Sequence, residues 1–295
     1  MTSLAQTAYK AALEWYVDNG VDEALGDMSV DRTKITPPNV TSILHNLKPE
    51  KEGSSTSSVM QELRGPSPQA AQDQTPLGAS DARAESVKLA QEASTLEELR
   101  EAIAEFEGIS LKKTATNLVF CDGNPKAPVM LIGEAPGADE DRLGKPFVGQ
   151  SGQLLDKIFK CIGLDRAEED PAKSIYISNI LNWRPPGNRT PAPGEVEASL
   201  PFIERHIQLV QPKVLVFCGG VSAKALLGRT DGISRMRKLW HGYLPQTPEL
   251  KSGSEIIPAI ATYHPAYLLR TPSQKKAVWA DMLMIQQKLK ETGIV

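Results

Sequence analysis

The chain has 295 residues, 40% of them hydrophobic, with 33 Lys plus Arg, 36 Asp plus Glu and a net charge of -3. At roughly 100–200 residues per domain, this allows one large domain or two small ones. The mild net charge hides an asymmetry: residues 1–108 carry 9 basic and 18 acidic side chains (net -9), and residues 109–295 carry 24 and 18 (net +6). An acidic front and a basic back argue against a uniformly acidic enzyme and keep an anionic partner such as nucleic acid open. No apolar run approaches the roughly 18–20 residues of a membrane span, and Met1-Thr2-Ser3-Leu4-Ala5 opens without a basic stretch before an apolar core, so the chain reads as cytoplasmic. Cys121, Cys161 and Cys218 stand far apart, with no Cys-x-x-Cys pair and no His at zinc spacing, which argues against a disulfide framework or a zinc ribbon.

In chain order, Ala8, Leu13, Trp15, Tyr16 and Val17 fall at near-helical spacing and mark a helical segment within residues 1–34. From Pro37 onwards the composition turns to Ser, Pro, Gly and Gln, as in Gly53-Ser54-Ser55-Thr56-Ser57-Ser58. Such a stretch buries too little apolar area to offset its ordering entropy, so residues 35–81 read as a flexible linker. Between Ala82 and Phe106 an apolar stripe of Val87, Leu89, Leu96, Leu99, Ile103 and Phe106 predicts helix, with a capping-box start at Thr95-Leu96-Glu97-Glu98. Residues 82–108 thus lead into a domain over 109–295.

Beyond Gly108, short apolar runs alternate with helical stretches. Val129-Met130-Leu131-Ile132 ends at Gly133, Ile175-Tyr176-Ile177 at Asn179, Val214-Leu215-Val216-Phe217 at Gly219-Gly220, and Ile257 to Thr262 at His264-Pro265. This pattern predicts an α/β fold: three α/β/α layers round a central four-stranded, mainly parallel sheet, with an N-terminal helical extension. Ligands of such sheets sit at the carboxyl ends of the strands, where this chain places its polar and Gly-rich segments.

The first of these segments reads Gly133-Glu134-Ala135-Pro136-Gly137-Ala138-Asp139-Glu140-Asp141 and continues with Gly144-Lys145-Pro146-Phe147-Val148-Gly149-Gln150-Ser151. Its glycines let backbone N–H groups approach a ligand, and Ser151 stands where it can cap a phosphate-attracting helix. It is neither a P-loop nor a dinucleotide fingerprint, since Gly-Lys-Ser/Thr is missing and the glycines are wrongly spaced. The second reads Asn179-Ile180-Leu181-Asn182-Trp183-Arg184-Pro185-Pro186-Gly187-Asn188-Arg189, and the last Tyr263-His264-Pro265-Ala266-Tyr267-Leu268-Leu269-Arg270.

Together the three segments resemble the uracil-DNA glycosylase superfamily, most closely its family 4, the bacterial and archaeal enzymes related to a phage DNA polymerase. The resemblance runs from about Thr114 to Met284 and finds no counterpart for residues 1–108. It implies a bacterial cytoplasmic, monofunctional enzyme of base excision repair that acts as a monomer on uracil-containing DNA, releases free uracil and leaves an abasic site. Such an enzyme must take the base out of the stack and stabilise a departing anion beside an oxocarbenium-like sugar. Phe147 then matches the aromatic platform for the flipped base, and Asn179 matches the uracil reader, accepting from N3–H and donating to O4 where cytosine offers the opposite pattern. Gly133, Ala135, Pro136 and Gly137 complete the uracil pocket. His264 matches the donor to uracil O2.

The water is less settled, because family 1 enzymes use an Asp where this chain has Ala135. Glu134 is favoured to position it, with Glu140 shaping the pocket near uracil C5, or the two exchange roles. Asp139 and Asp141 read as solvated or capping. Lys145, Gly149, Ser151, Arg184, Asn188, Arg189 and Arg270 are expected to face DNA, and Tyr267, Leu268 or Leu269 to wedge into the gap left by the base.

One departure concerns the cofactor. Family 4 enzymes typically hold an iron–sulfur cluster on four Cys, but here Trp183 and Ser199 stand at the third and fourth positions and residues 106–110 contain no Cys, so no cluster and no metal is expected. Loss of the cluster keeps a non-catalytic uracil-DNA-binding protein as a rival. A covalent binder of a related branch would carry a basic insert near its His, which Tyr263-His264-Pro265 lacks. A nucleotide phosphohydrolase would need a metal-binding carboxylate set that appears only in the first loop.

Overall fold

The computed structural model describes residues 79–293. The expected helix of residues 1–34 and most of the Ser- and Pro-rich stretch lie outside these residues. The elements are α1 (Ala79–Glu92), α2 (Leu96–Glu105), β1 (Asp122–Gly123), β2 (Val129–Gly133), α3 (Ala138–Leu143), α4 (Gln150–Lys160), β3 (Tyr176–Asn179) and α5 (Pro193–Val210). They continue with β4 (Val214–Cys218), α6 (Gly220–Leu227), α7 (Ile233–Met236), β5 (Trp240–Tyr243), α8 (Pro248–Lys251), β6 (Ile257–Thr262), α9 (Pro265–Arg270) and α10 (Lys275–Glu291).

The expected four strands form the centre of one sheet in the order β3-β2-β4-β6, all parallel. Two antiparallel edge strands, β1 beside β3 and β5 beside β6, make it six-stranded and mixed. β1 is two residues long and β5 reads Trp-His-Gly-Tyr, so neither carries the apolar run that marks a strand buried on both faces. In β2, by contrast, every residue is buried, because alternate side chains enter two different cores. Met130 and Ile132 join Tyr176, Leu215 and Phe217 under α1, α2, α5 and α6. Val129 and Leu131 join Ile177, Val214 and Val216 under α4 and α10. Each fully buried aliphatic side chain of this kind contributes about 1.5–3 kcal/mol.

The stripe between Ala82 and Phe106 is broken where the capping signal stands. Thr95 Oγ1 accepts the Glu98 N–H at 3.1 Å, and the Glu98 carboxylate reaches back to the Ser94 N–H at 2.6 Å. The resulting two helices belong to the core, where Ala90, Leu99, Ile103 and Phe106 are buried and Phe106 meets Phe202 of α5 edge-on at 5.2 Å.

From β2 the chain moves to β3 on one side, then crosses to β4 on the other. The segments that follow β2, β3 and β6 border a crevice at the strands' carboxyl ends.

Candidate active site

The floor of the crevice is the paired ends of β2 and β3, where Gly133 lies opposite Asn179. A Cβ at Gly133 would collide with Asn179 Oδ1 and stand 2.6 Å from Phe147 Cζ, so only glycine lets these side chains close over the strand end. Gly133 thus supports the pocket from beneath and does not line it. Asn179 is 2% exposed, and its Oδ1 has no hydrogen-bond partner among the described residues. An unpaired buried acceptor costs about 1–3 kcal/mol, which a donor entering the crevice would recover.

Phe147 is buried, with its ring centroid 5.4 Å from that of His264 and tilted by 30°. Its loop is fastened by Glu140, whose Oε1 accepts the N–H groups of Val148 at 2.8 Å and Gly149 at 3.0 Å and whose Oε2 accepts that of Gly137 at 3.1 Å. A carboxylate holding three backbone donors has most of its roughly four acceptor sites turned to the loop. Glu140 therefore holds the loop that carries Phe147, and it also lines the cleft. Glu134 differs: it borders the cleft half-buried, its carboxylate has no hydrogen-bond partner among the described residues, and burial raises its pKa above 4.5. Asp141 caps the Thr116 and Asn117 N–H groups at 2.8 and 3.1 Å, and exposed Asp139 pairs with Arg142.

His264 is the N-cap of α9, and its Nδ1 accepts the Ala266 N–H at 3.2 Å. That bond leaves the proton of the neutral ring on Nε2, available as a donor. Burial, with a further push from Arg270 and an opposing pull from Glu140, lowers its pKa to about 4. The ring is therefore neutral at physiological pH.

These groups meet in one cleft of about 470 Å³. Its lining contains Glu134, Ala135, Pro136, Gly137, Glu140, Phe147, Asn179 and His264 from the expected pocket. Ser151, Asn188, Arg189, Tyr267 and Arg270 border it, as do Pro185 and Ala266, which carried no sequence signal beyond their motifs.

Several expected DNA contacts are already engaged. Arg189 makes a two-pronged ion pair with Glu195 at 2.6 and 2.9 Å, Arg184 donates to Asn188 Oδ1 at 2.8 Å, and Lys145 lies outside the lining, 3.4 Å from Asp122. Arg270 is exposed and has no acidic partner among the described residues. Gly149, rather than Ser151, is the N-cap of α4, and its N–H is spent on Glu140, so the expected Ser151 cap is corrected. Leu268 as a wedge is corrected too: it is 0% exposed, packed in the α4–α10 core, while Leu269 beside it is 43% exposed.

A four-thiolate iron–sulfur cluster takes one Cys more than the chain contains. The chain's three Cys are half-buried Cys121, exposed Cys161 and buried Cys218 on separate elements, Trp183 packs against the α5 side of the core, and Ser199 is buried within α5.

The pattern of the uracil DNA glycosylase superfamily matches residues 120–283. The chain is 34% identical over 196 residues to the type-4 uracil-DNA glycosylase of Sulfurisphaera tokodaii, covering 65% of this chain and 84% of that protein. It is 36% identical over 194 residues to that of Pyrobaculum aerophilum (64% and 92% covered) and 32% identical over 206 residues to that of Thermotoga maritima (68% and 99%).

Proposed function

Since the chain belongs to the uracil-DNA glycosylase superfamily, we propose that this cleft receives a uracil flipped out of DNA and hydrolyses its N-glycosidic bond, leaving free uracil and an abasic site. The observation that carries this is the unpaired Oδ1 of Asn179, buried between the Gly133 strand end and the Phe147 ring and matched to uracil N3–H. Uracil stacks on Phe147 while the Asn179 amide donates to O4. As the bond between N1 and C1′ breaks, its electrons pass to the base, and the His264 Nε2–H donates to O2, where charge accumulates. Glu134 holds a water against C1′ and takes its proton as the oxygen joins the sugar. Arg270, which has no acidic partner among the described residues, takes a phosphate of the flipped nucleotide, and exposed Leu269 or Tyr267 enters the gap in the stack.

Incubation with a uracil-containing oligonucleotide followed by alkali should cut the strand at the uracil; strands left whole would defeat the reading and favour a protein that only binds.

The shifts of Glu134 and His264 set the pH dependence. Activity needs Glu134 ionised and His264 neutral. As pH falls, Glu134 protonates first, through a pKa raised above 4.5, and His264 charges only near 4. The rate at limiting substrate should therefore rise with pH through the Glu134 pKa and then level. Glu134→Gln should lower the rate and move the acid limb of what remains down towards 4, where His264 charges. The same acid limb in variant and wild type would remove Glu134 from the role.

We further propose that the reaction proceeds without an iron–sulfur cluster, because the chain lacks four thiolates to hold one. Pure protein should carry no stoichiometric iron and no absorption band in the visible blue; both together would contradict this.

A further inference from the structure

The pocket leans on a side chain that does not line it. Phe147 has φ of +53°, in the left-handed region that strains a bulky side chain. Such a conformation persists only where its surroundings over-determine it. Glu140 supplies one fixture by gathering the N–H groups of Val148 and Gly149. Gly152 supplies another, since a Cβ there would overlap the Phe147 carbonyl.

The third is Arg166, in the turn after α4, with a side chain 11% exposed. One terminal nitrogen donates to Pro146 O at 2.8 Å and to Asp122 Oδ2 at 3.3 Å. The other donates to Phe147 O at 3.0 Å and lies 2.7 Å from Asp156 Oδ1, to which Nε donates at 2.8 Å. A guanidinium has five N–H donors in one rigid plane, and here four hydrogen bonds run from them to Pro146 O, Phe147 O, Asp122 and Asp156. A largely covered cation thus takes the carbonyls of residues 146 and 147, while a buried anion takes the N–H groups of residues 148 and 149. The left-handed residue lies between the two.

We propose that Arg166 is a positioning residue for base recognition: it holds the Phe147 main chain in its left-handed conformation so that the ring stands against Asn179 and His264. This rests on the uracil reading above. A small displacement of a recognition group lowers rate by up to about 100-fold. Lys is a point charge with three donors and cannot reproduce the fork.

The test compares wild type, Arg166→Lys and Asp156→Asn for kcat and KM on a uracil-containing oligonucleotide, inhibition by free uracil, and affinity for the same strand without uracil. Arg166→Lys should weaken both uracil inhibition and kcat by about 10- to 100-fold while binding uracil-free DNA as wild type does. Asp156→Asn, which keeps the guanidinium but loosens its anchor, should move the same two quantities less. Added guanidinium ion should restore part of the activity of Arg166→Ala. Unchanged uracil inhibition in both Arg166→Lys and Asp156→Asn would overturn the proposal, as would an equal loss of affinity for uracil-free DNA. Wild-type protein that uracil does not inhibit would sink the uracil reading and this one together, whereas equal inhibition of wild type and variants sinks only the role of Arg166.

Discussion

Replacing Asn179 by Asp should lower uracil release at neutral pH by at least ~100-fold, because a site built on specific hydrogen bonds discriminates by the groups it leaves unpaired. The amide meets uracil with one acceptor and one donor. An ionised carboxylate keeps the acceptor for N3–H but turns a second lone-pair oxygen towards O4. At 2% exposure burial disfavours the charged form of the introduced carboxyl, and acid protonates it. In that form it offers a hydroxyl to cytosine N3 and a carbonyl to the cytosine amino group. Release of cytosine should therefore emerge as pH falls. Rates on paired oligonucleotides carrying uracil or cytosine, taken across acid and neutral pH, check both halves. Unchanged selectivity would remove Asn179 from base reading.

The second large effect belongs to His264. Removing one preorganised donor aimed at developing charge lowers kcat by roughly 100- to 1,000-fold, or about 3–4 kcal/mol. His264→Ala should show that loss chiefly in kcat, since the charge on O2 develops as the bond breaks. The imidazole acts neutral, with a pKa near 4 and Nδ1 occupied by the Ala266 N–H. The loss should accordingly be the same at every pH above about 6, two units above that pKa. Single-turnover rates with saturating enzyme separate chemistry from binding. A deficit confined to KM, or one that disappears as pH rises, would show that His264 binds without assisting departure.

The central strands were legible because burial on both faces forces continuous apolar runs, which Val129 to Ile132 and Val214 to Phe217 display. The break at Thr95 was legible because capping is local chemistry. What stayed hidden depends on contacts between distant segments. The resemblance singles out Glu140, but its grip on three N–H groups was not legible, because only the loop's path brings those groups to its carboxylate. Leu268 and Leu269 look alike, but α9 turns the first into the core and the second to solvent. Arg166 lies 19 residues from the carbonyl it holds and belongs to no motif.

The charge split also acquires a finer boundary. Eight of the 18 acidic residues before 109 fall between Asp81 and Glu107, in or beside helices whose Leu99, Ile103 and Phe106 are part of the core. Cutting the chain at 108 would remove those side chains. A deletion meant to ask whether the acidic front tempers DNA binding has to stop before Ala79.

The central claim is that Phe147, Asn179 and His264 form one receptor for a single base, and a crystal of the protein soaked with uracil tests it most directly. The expected result is uracil stacked on the Phe147 ring, with N3–H on Asn179 Oδ1 and O2 facing His264 Nε2. Uracil bound elsewhere, or a cleft that stays free of it at saturating concentration, would contradict the account.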